Sequence, residues 1–152
     1  MSKAVHKSPN PAHARKKSRR LAMQALYQWS MSGDNLNDIE VQFQQKEEIH
    51  QVDRDYFHEL LHRIPGCIDE LDKALAAYLD RDMDAVDPVE RAILRIGSYE
   101  LIHRLDIPYR VVINEAVQLG KTFGAVESYR FINGIMDQAA HQLRKTEINA
   151  SK

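Results

Sequence analysis

Apolar side chains recur at helical spacing along most of the chain, and this periodicity restricts the fold more than any other feature. The first clear stripe occupies positions i, i+3, i+4 and i+7 of one helix and consists of Ala22, Ala25, Leu26 and Trp29. No segment shows the sustained alternation of a half-buried strand, and no repeat of about 20 to 50 residues is evident. The sequence therefore predicts an all-α protein with six or seven helices.

Helix caps divide the second half of the chain clearly. Residues 87–90, Asp-Pro-Val-Glu, combine an N-cap acceptor, a Pro at the first helical position and a Glu at the third. A further helix is predicted after Pro108, and a last long helix begins at Ser128. We expect two small helical bundles that separate near residues 80–86.

The cations are distributed unevenly along the 152 residues. The formal net charge is −1, with 21 Lys and Arg against 22 Asp and Glu. Residues 1–21 hold seven cations and no acidic residue, so the rest carries 14 basic against 22 acidic side chains, which sets +7 against −8. Such a block is typical of an arm that binds a polyanion. We predict a flexible basic arm over residues 1–14, a single helical RNA-binding domain over residues 15–146 and a disordered tail over residues 147–152.

Cysteine usage and hydropathy indicate the compartment. The single cysteine, Cys67, cannot form an internal disulfide, as is common in a reducing environment. No apolar run approaches the roughly 20 residues of a membrane helix, and the first residues lack the apolar segment of a secretory signal. We therefore predict a cytoplasmic protein.

Residues 58–62, His-Glu-Leu-Leu-His, reproduce the H-E-x-x-H pattern of zinc peptidases. The apolar side chains of the same helix lie on another face and are Phe57, Leu60, Leu61 and Ile64. The two His are therefore predicted on the solvated side, and a zinc peptidase would have to show stoichiometric zinc. Because the sequence also lacks a Gly-rich phosphate loop and a nucleophile–base pair, we expect no enzymatic activity, no catalytic residue, no metal and no cofactor.

The first predicted helix also carries a row of polar and aromatic side chains. Arg19, Met23 and Tyr27 stand at i, i+4 and i+8, continuing from Arg15. A row that runs from cation to aromatic ring offers phosphate contacts at one end and base stacking at the other, as in proteins that bind single-stranded RNA. Alternatively, Met23 and Tyr27 are residues at the edge of the core, and periodicity alone does not decide between the two.

Four segments resemble the NusB family of bacterial transcription antitermination factors. They follow the family's order and spacing within residues 15–144 and comprise residues 20–29 (RLAMQALYQW), 89–101 (VERAILRIGSYEL), 107–116 (IPYRVVINEA) and 121–134 (KTFGAVESYRFING). The last segment is the most specific to the family. The resemblance implies an all-helical fold of two small bundles, in agreement with the periodicity.

The resemblance also implies a function and its residues. It implies binding to the boxA element of nascent ribosomal RNA leaders together with the ribosomal protein NusE, in a complex with elongating RNA polymerase and other Nus factors that suppresses premature termination. By position, it implies RNA contacts at Arg15, Lys16, Lys17, Arg19, Tyr27, Lys121, Glu127, Arg130 and Phe131. Lys16 and Lys17 replace part of the family's Arg run, so phosphate contacts are expected there rather than base contacts.

Several alternatives stay open at this point. The resemblance implies a NusE contact at Glu90, but this residue also stands third in its helix, where it could instead satisfy backbone donors of the cap. The same fold occurs as the N-terminal module of an rRNA cytosine methyltransferase, although residues up to Lys152 contain no methyl-donor domain. The sequence does not decide between a monomer and a homodimer, nor does it indicate which RNA bases are recognised or the order of assembly.

Overall fold

The computed structural model describes residues 10–152 of the chain. Within them we find eight α-helices, two short 3₁₀ turns (Glu47–Gln51 and Met83–Ala85) and no β-strand. The helices are α1 (Pro11–Ser32), α2 (Leu36–Gln44), α3 (Arg54–Gly66), α4 (Ile68–Ala76), α5 (Pro88–His103), α6 (Tyr109–Phe123), α7 (Ser128–Leu143) and α8 (Lys145–Ala150). The predicted all-α class is confirmed, with eight helices where six or seven were expected. None of these helices is long and apolar enough to cross a membrane.

Local capping signals explain where several helices begin and end. Asp53 accepts a hydrogen bond from the backbone N–H of Tyr56 (3.0 Å) and starts α3. Asp87 caps α5 in the same way, through the N–H groups of the second and third helical residues. Gly33 ends α1 in the left-handed conformation (φ 69°), which a glycine adopts without strain.

The N-terminal boundary differs from the sequence prediction. α1 begins at Pro11, four residues earlier than expected, because the side chain of Asn10 accepts a hydrogen bond from the N–H of Ala12 (2.9 Å). A proline at the first helical position has no N–H that needs a partner there. Residues 10–14 of the predicted arm are therefore the cap and first turn of α1, while residues 1–9 lie outside the described residues.

The C-terminal boundary differs as well. Residues 147–150, predicted as part of a disordered tail, belong to α8. Ile148 is buried, and the carboxylate of Glu147 accepts a hydrogen bond from the backbone N–H of Tyr109 (3.0 Å). These contacts attach α8 to the start of α6, which is distant in the sequence and so leaves no local signal.

The two predicted groups of helices share one core through α5. Residues 92–101 of α5 are all buried, because α1, α3, α4, α6 and α7 contact this helix. The hydroxyl of Ser98 donates a hydrogen bond to the carbonyl of Leu71 (2.9 Å), so this polar side chain is satisfied inside the protein. Because α5 contacts both groups of helices, the apolar core is one continuous cluster. The 3₁₀ turn at Met83–Ala85 lies where the separation of the groups was predicted.

Helices α6 and α7 approach each other closely at Gly120, and this contact yields a stability prediction. A Cβ atom at this position would lie 2.9 Å from Cδ1 of Ile132 and 3.1 Å from Cα of Tyr129. Because the second neighbour is backbone, α7 would have to shift. We expect Gly120→Ala to lower the free energy of unfolding by about 1–3 kcal/mol, measured by urea denaturation.

The matched control for this prediction is Gly134→Ala. Gly134 lies within α7, and a Cβ atom there meets nothing within 4 Å. Alanine in an open helical position stabilises by up to about 1 kcal/mol relative to glycine. Equal unfolding free energies for the two variants would contradict a close helix contact at Gly120.

Candidate nucleic-acid interface

Arg19, predicted to face RNA, lies in the interior with only 2% of its surface exposed. Its Nε donates a hydrogen bond to Oε2 of Glu100 (2.7 Å), and its Nη1 lies 3.7 Å from Oε1 of Glu115. The hydroxyl of Tyr56 donates to the same oxygen of Glu100. Burial disfavours the charge on Arg19, but the neighbouring carboxylate raises the pKa of the guanidinium above its usual value. The expected RNA contact at Arg19 is therefore corrected to an internal ion pair.

Helical spacing explains this correction. Arg19 precedes Ala22, Met23 and Leu26 by three, four and seven residues, so it belongs to the buried face of α1. Met23 is buried too, as the edge-of-core alternative expected. The row at i, i+4 and i+8 drifts around the helix, because each step of four residues advances by about 40° beyond one full turn.

Arg20, which the sequence reasoning did not single out, shares the exposed face of α1 with Tyr27. The two residues are seven apart, close to two full helical turns. Tyr27 is 38% exposed, and the guanidinium of Arg20 lies 5.9 Å from the ring centroid of Phe123 at the end of α6. Tyr27 and Phe123 line an open groove of about 490 Å³, whose other walls are formed by Met23, Met31, Phe43 and Val89. We call this the α1 groove.

The remaining basic residues of α1 lie beside the groove or against the core. Lys17 and Arg20 line a small depression of about 120 Å³. Lys16 and Arg15 are half-buried. The guanidinium of Arg15 packs 5.5 Å from the ring centroid of Tyr56, and its Nε is buried without a hydrogen-bond partner. Lys17 is half-buried as well, so the structure presents Arg20 more openly than the other three.

Three other predicted site residues meet at the corner between α6 and α7. Lys121, Glu127 and Arg130 are all exposed there. The Nζ of Lys121 lies 5.2 Å from the ring centroid of Tyr129, and Nε of Arg130 donates to the Tyr129 hydroxyl (3.1 Å). Arg130 also pairs with Glu127 across 3.4 Å. This α6–α7 corner combines two cations with an aromatic ring that the sequence reasoning had not singled out.

Phe131 and Glu90 lie near the beginnings of α7 and α5. Phe131 is half-buried, with the guanidinium of Arg81 5.6 Å from its ring centroid. The carboxylate of Glu90 accepts a hydrogen bond from the buried hydroxyl of Ser128 (2.6 Å). Glu90 thus links α5 to α7 through its side chain, and its backbone N–H donates to the cap residue Asp87 (3.1 Å).

Of the candidate site residues that the sequence analysis did not name, only one had a recognisable signal in the sequence. Arg20 could have been found from its seven-residue spacing to Tyr27. The approach of Tyr129 to Lys121, and that of Phe123 to Arg20, depend on how separate helices pack. No local pattern in the sequence reports those distances.

The H-E-x-x-H pattern is divided between two surfaces of α3. Glu59 accepts hydrogen bonds from the hydroxyl of Tyr99 (2.6 Å) and from Arg104 (3.1 Å). His58 and His62 instead contact Glu40 of α2. Since Glu59 is bound elsewhere, it does not stand beside the two His as the general base of a peptidase must.

Comparisons with known proteins agree with this architecture. The NusB family model matches residues 16–141. The transcription antitermination protein NusB of Alcanivorax borkumensis is 49% identical over 140 residues, which cover 92% of this chain and 93% of the relative. The structure of T. maritima NusB is similar with a TM-score of 0.72 and 27% identity, covering 88% of this chain and 93% of that one.

A second similar structure contains partners. It is a crystal structure of the antitermination factors NusB and NusE in complex with dsRNA, with a TM-score of 0.70 and 26% identity, covering 84% of this chain and 96% of that one. The family match spans far more than half of the sequence, and the relative from A. borkumensis shares nearly half of its residues with it. The chain belongs to the NusB family.

Proposed function

We propose that this protein is a non-enzymatic transcription antitermination factor that binds RNA together with the ribosomal protein NusE. The observation that carries the proposal is the exposed face of α1, where the ring of Tyr27 at the α1 groove and the cation of Arg20 lie about two helical turns apart. Relatives named as antitermination proteins and the similar NusB–NusE–dsRNA structure support it. At the finer level, the RNA is the boxA element of nascent rRNA leaders, and the complex joins elongating RNA polymerase and other Nus factors in the cytoplasm.

Two regions of the surface suit RNA in different ways. Along α1, Lys16, Lys17 and Arg20 contact phosphates, and Tyr27 stacks on a base. Arg15, nearer the core, adds charge at the start of this path.

At the α6–α7 corner, Lys121 and Arg130 contact phosphates, while the carboxylate of Glu127 accepts hydrogen bonds from base amino groups. Phe131 adds a partly exposed ring on the same helix. Arg19 is left out, since its guanidinium is enclosed by protein.

NusE is proposed to bind on the acidic body. Beyond residue 21 the chain carries 22 acidic against 14 basic side chains, which favours a basic protein partner. At Glu90, the hydroxyl of Ser128 occupies one carboxylate oxygen, so the other is available to a donor from NusE. This assignment would be contradicted if the affinity for NusE changed neither with salt concentration nor on charge reversal at Glu90.

Charge reversal on α1 tests the RNA surface. We expect Lys17→Glu/Arg20→Glu to weaken binding to boxA RNA severalfold and to reduce the slope of log affinity against log salt by about 0.7 per lost single-strand phosphate contact. Fluorescence anisotropy across a salt series measures both, with and without NusE. Single-stranded and double-stranded RNA are compared, because the similar complex contains dsRNA.

The controls separate general charge from local contact. Lys73→Glu/Lys145→Glu makes the same change in net charge at exposed positions of α4 and α8. Tyr27→Leu keeps an apolar side chain but removes the stacking ring, and should cost about 1–3 kcal/mol of binding without changing the salt slope. Light scattering on the same samples reports whether a homodimer competes with RNA. If the α1 double variant binds RNA as tightly as the control, the proposed surface is wrong.

A further inference from the structure

Three side chains form a compact group between α2 and α3, and the proposed RNA surface uses none of them. Nδ1 of His58 lies 2.8 Å from Oε2 of Glu40, and Nε2 of His62 lies 2.8 Å from Oε1 of the same carboxylate. The two imidazole rings are 4.2 Å apart between centroids. One donor atom from each of the three residues lies within 4.8 Å of the other two.

This set of donors matches what a divalent transition metal requires. Imidazole nitrogens and carboxylate oxygens bind zinc and other divalent first-row transition metals, at about 2.0–2.2 Å from the ion. Two ligands of one tetrahedral ion at that radius stand about 3–3.5 Å apart. His58 and His62 are one helical turn apart on α3, and both already contact Glu40 at 2.8 Å, so the three donor atoms lie close to these separations.

The environment of the group also suits a cation. The side chain of Glu40 is 14% exposed and that of His62 is 23% exposed, while His58 is 58% exposed. The open side at His58 leaves a coordination position for water.

We propose that Glu40, His58 and His62 bind one divalent transition-metal ion of the zinc class per chain, which fastens α2 to α3. The site is independent of the proposed RNA binding. It is a structural site rather than a hydrolytic one, because the carboxylate of Glu59 is held by Tyr99 and Arg104 on another surface.

A second group provides an internal comparison. Cys67, Glu70 and His103 also place donor atoms within 4.8 Å of one another. There, however, Glu70 and His103 are both exposed, and the thiol of Cys67 donates a hydrogen bond to the carbonyl of Arg63 (3.2 Å). We therefore assign the ion to Glu40, His58 and His62.

Calorimetric titration of the full chain, free of metal and of any polyhistidine tag, with Zn²⁺ tests the site. We expect one ion per chain, and at least a tenfold rise in Kd for Glu40→Gln and for His62→Ala. His103→Ala is the matched control and should bind as the unaltered chain does. Because His58 is mostly exposed, His58→Ala keeps the test valid if His62→Ala fails to fold.

A spectroscopic measurement identifies the ligands directly. Co²⁺ bound at this site should show the visible absorption of a low-coordinate, nitrogen-ligated ion, and His58→Ala should remove it. Mg²⁺, which prefers an octahedral set of oxygen ligands, should not compete. The proposal is overturned if the unaltered chain binds no Zn²⁺, if Glu40→Gln binds as tightly, or if His103→Ala rather than His62→Ala removes binding. RNA affinity serves as a separate readout, so a failure here is distinguishable from failure of the proposed function.

Discussion

Arg19→Met is expected to lower the free energy of unfolding by about 3–5 kcal/mol, because it leaves a buried carboxylate without its cation. Arg19 and the hydroxyl of Tyr56 both donate to Oε2 of Glu100, which is 1% exposed. Burial already raises the pKa of Glu100, and Arg19 is the main group that opposes this rise. Without Arg19 the carboxyl therefore takes up a proton at a higher pH. Urea denaturation followed by circular dichroism measures the loss.

The matched control is the next residue, Arg20→Met. Arg20 is exposed, so its replacement should change stability by no more than about 0.5 kcal/mol while weakening RNA binding. The double variant Arg19→Met/Glu100→Gln should recover part of the stability, since the uncompensated charge is removed. A stable Arg19→Met variant that loses RNA binding would instead restore the original expectation for Arg19.

Arg144→Met is expected to cost a similar amount, about 3–5 kcal/mol, for a different reason. The buried guanidinium of Arg144 donates to four backbone carbonyls. Two belong to the last turn of α5 and two to the segment after it: Glu100, Leu101, Arg104 and Ile107 (2.8–3.0 Å). It also pairs with Glu147 of α8. Removing it leaves the carbonyls of Leu101 and Ile107 without this donor, whereas those of Glu100 and Arg104 still accept backbone N–H groups. It also detaches α8 from the connection between α5 and α6.

Two further variants test whether the geometry of the guanidinium matters. Arg144→Lys keeps the charge but cannot span several carbonyls with one planar group, so most of the loss should persist. Lys145→Met changes an exposed neighbour and should leave stability nearly unaltered. A loss below about 1 kcal/mol for Arg144→Met in urea denaturation would show that water replaces these hydrogen bonds without penalty.

The helices that the sequence predicted correctly are those with strong local signals. Asp87 caps α5 as expected, and signals of the same local kind bound α3 at Asp53 and α1 at Gly33. A cap and an apolar stripe lie within a few residues of each other, so they can be recognised without any knowledge of packing. The two missed boundaries have different causes. Asn10 and Pro11 gave a local cap signal that the prediction did not use, whereas α8 depends on the distant contact between Glu147 and Tyr109.

The candidate site was less predictable, because a side chain's role depends on what packs against it. Lys121, Glu127 and Arg130 were expected on the surface, and the structure brings them together at the α6–α7 corner. The stability role of Arg144 left no local signal, since its acceptors are 37 to 44 residues away in the sequence. Likewise, the two His of α3 were expected on the solvated side, yet His62 is half-buried against Glu40.

By itself, the sequence determined the helical class, most helix ends and the resemblance to the NusB family, all of which follow from patterns within short segments. Only the tertiary structure decided which of two adjacent arginines is exposed to solvent. Arg19 and Arg20 are equally basic in the sequence, but a rotation of 100° along α1 directs one toward Glu100 and the other toward solvent. The physical reason is that burial is set by partners far along the chain, and a local pattern does not contain them.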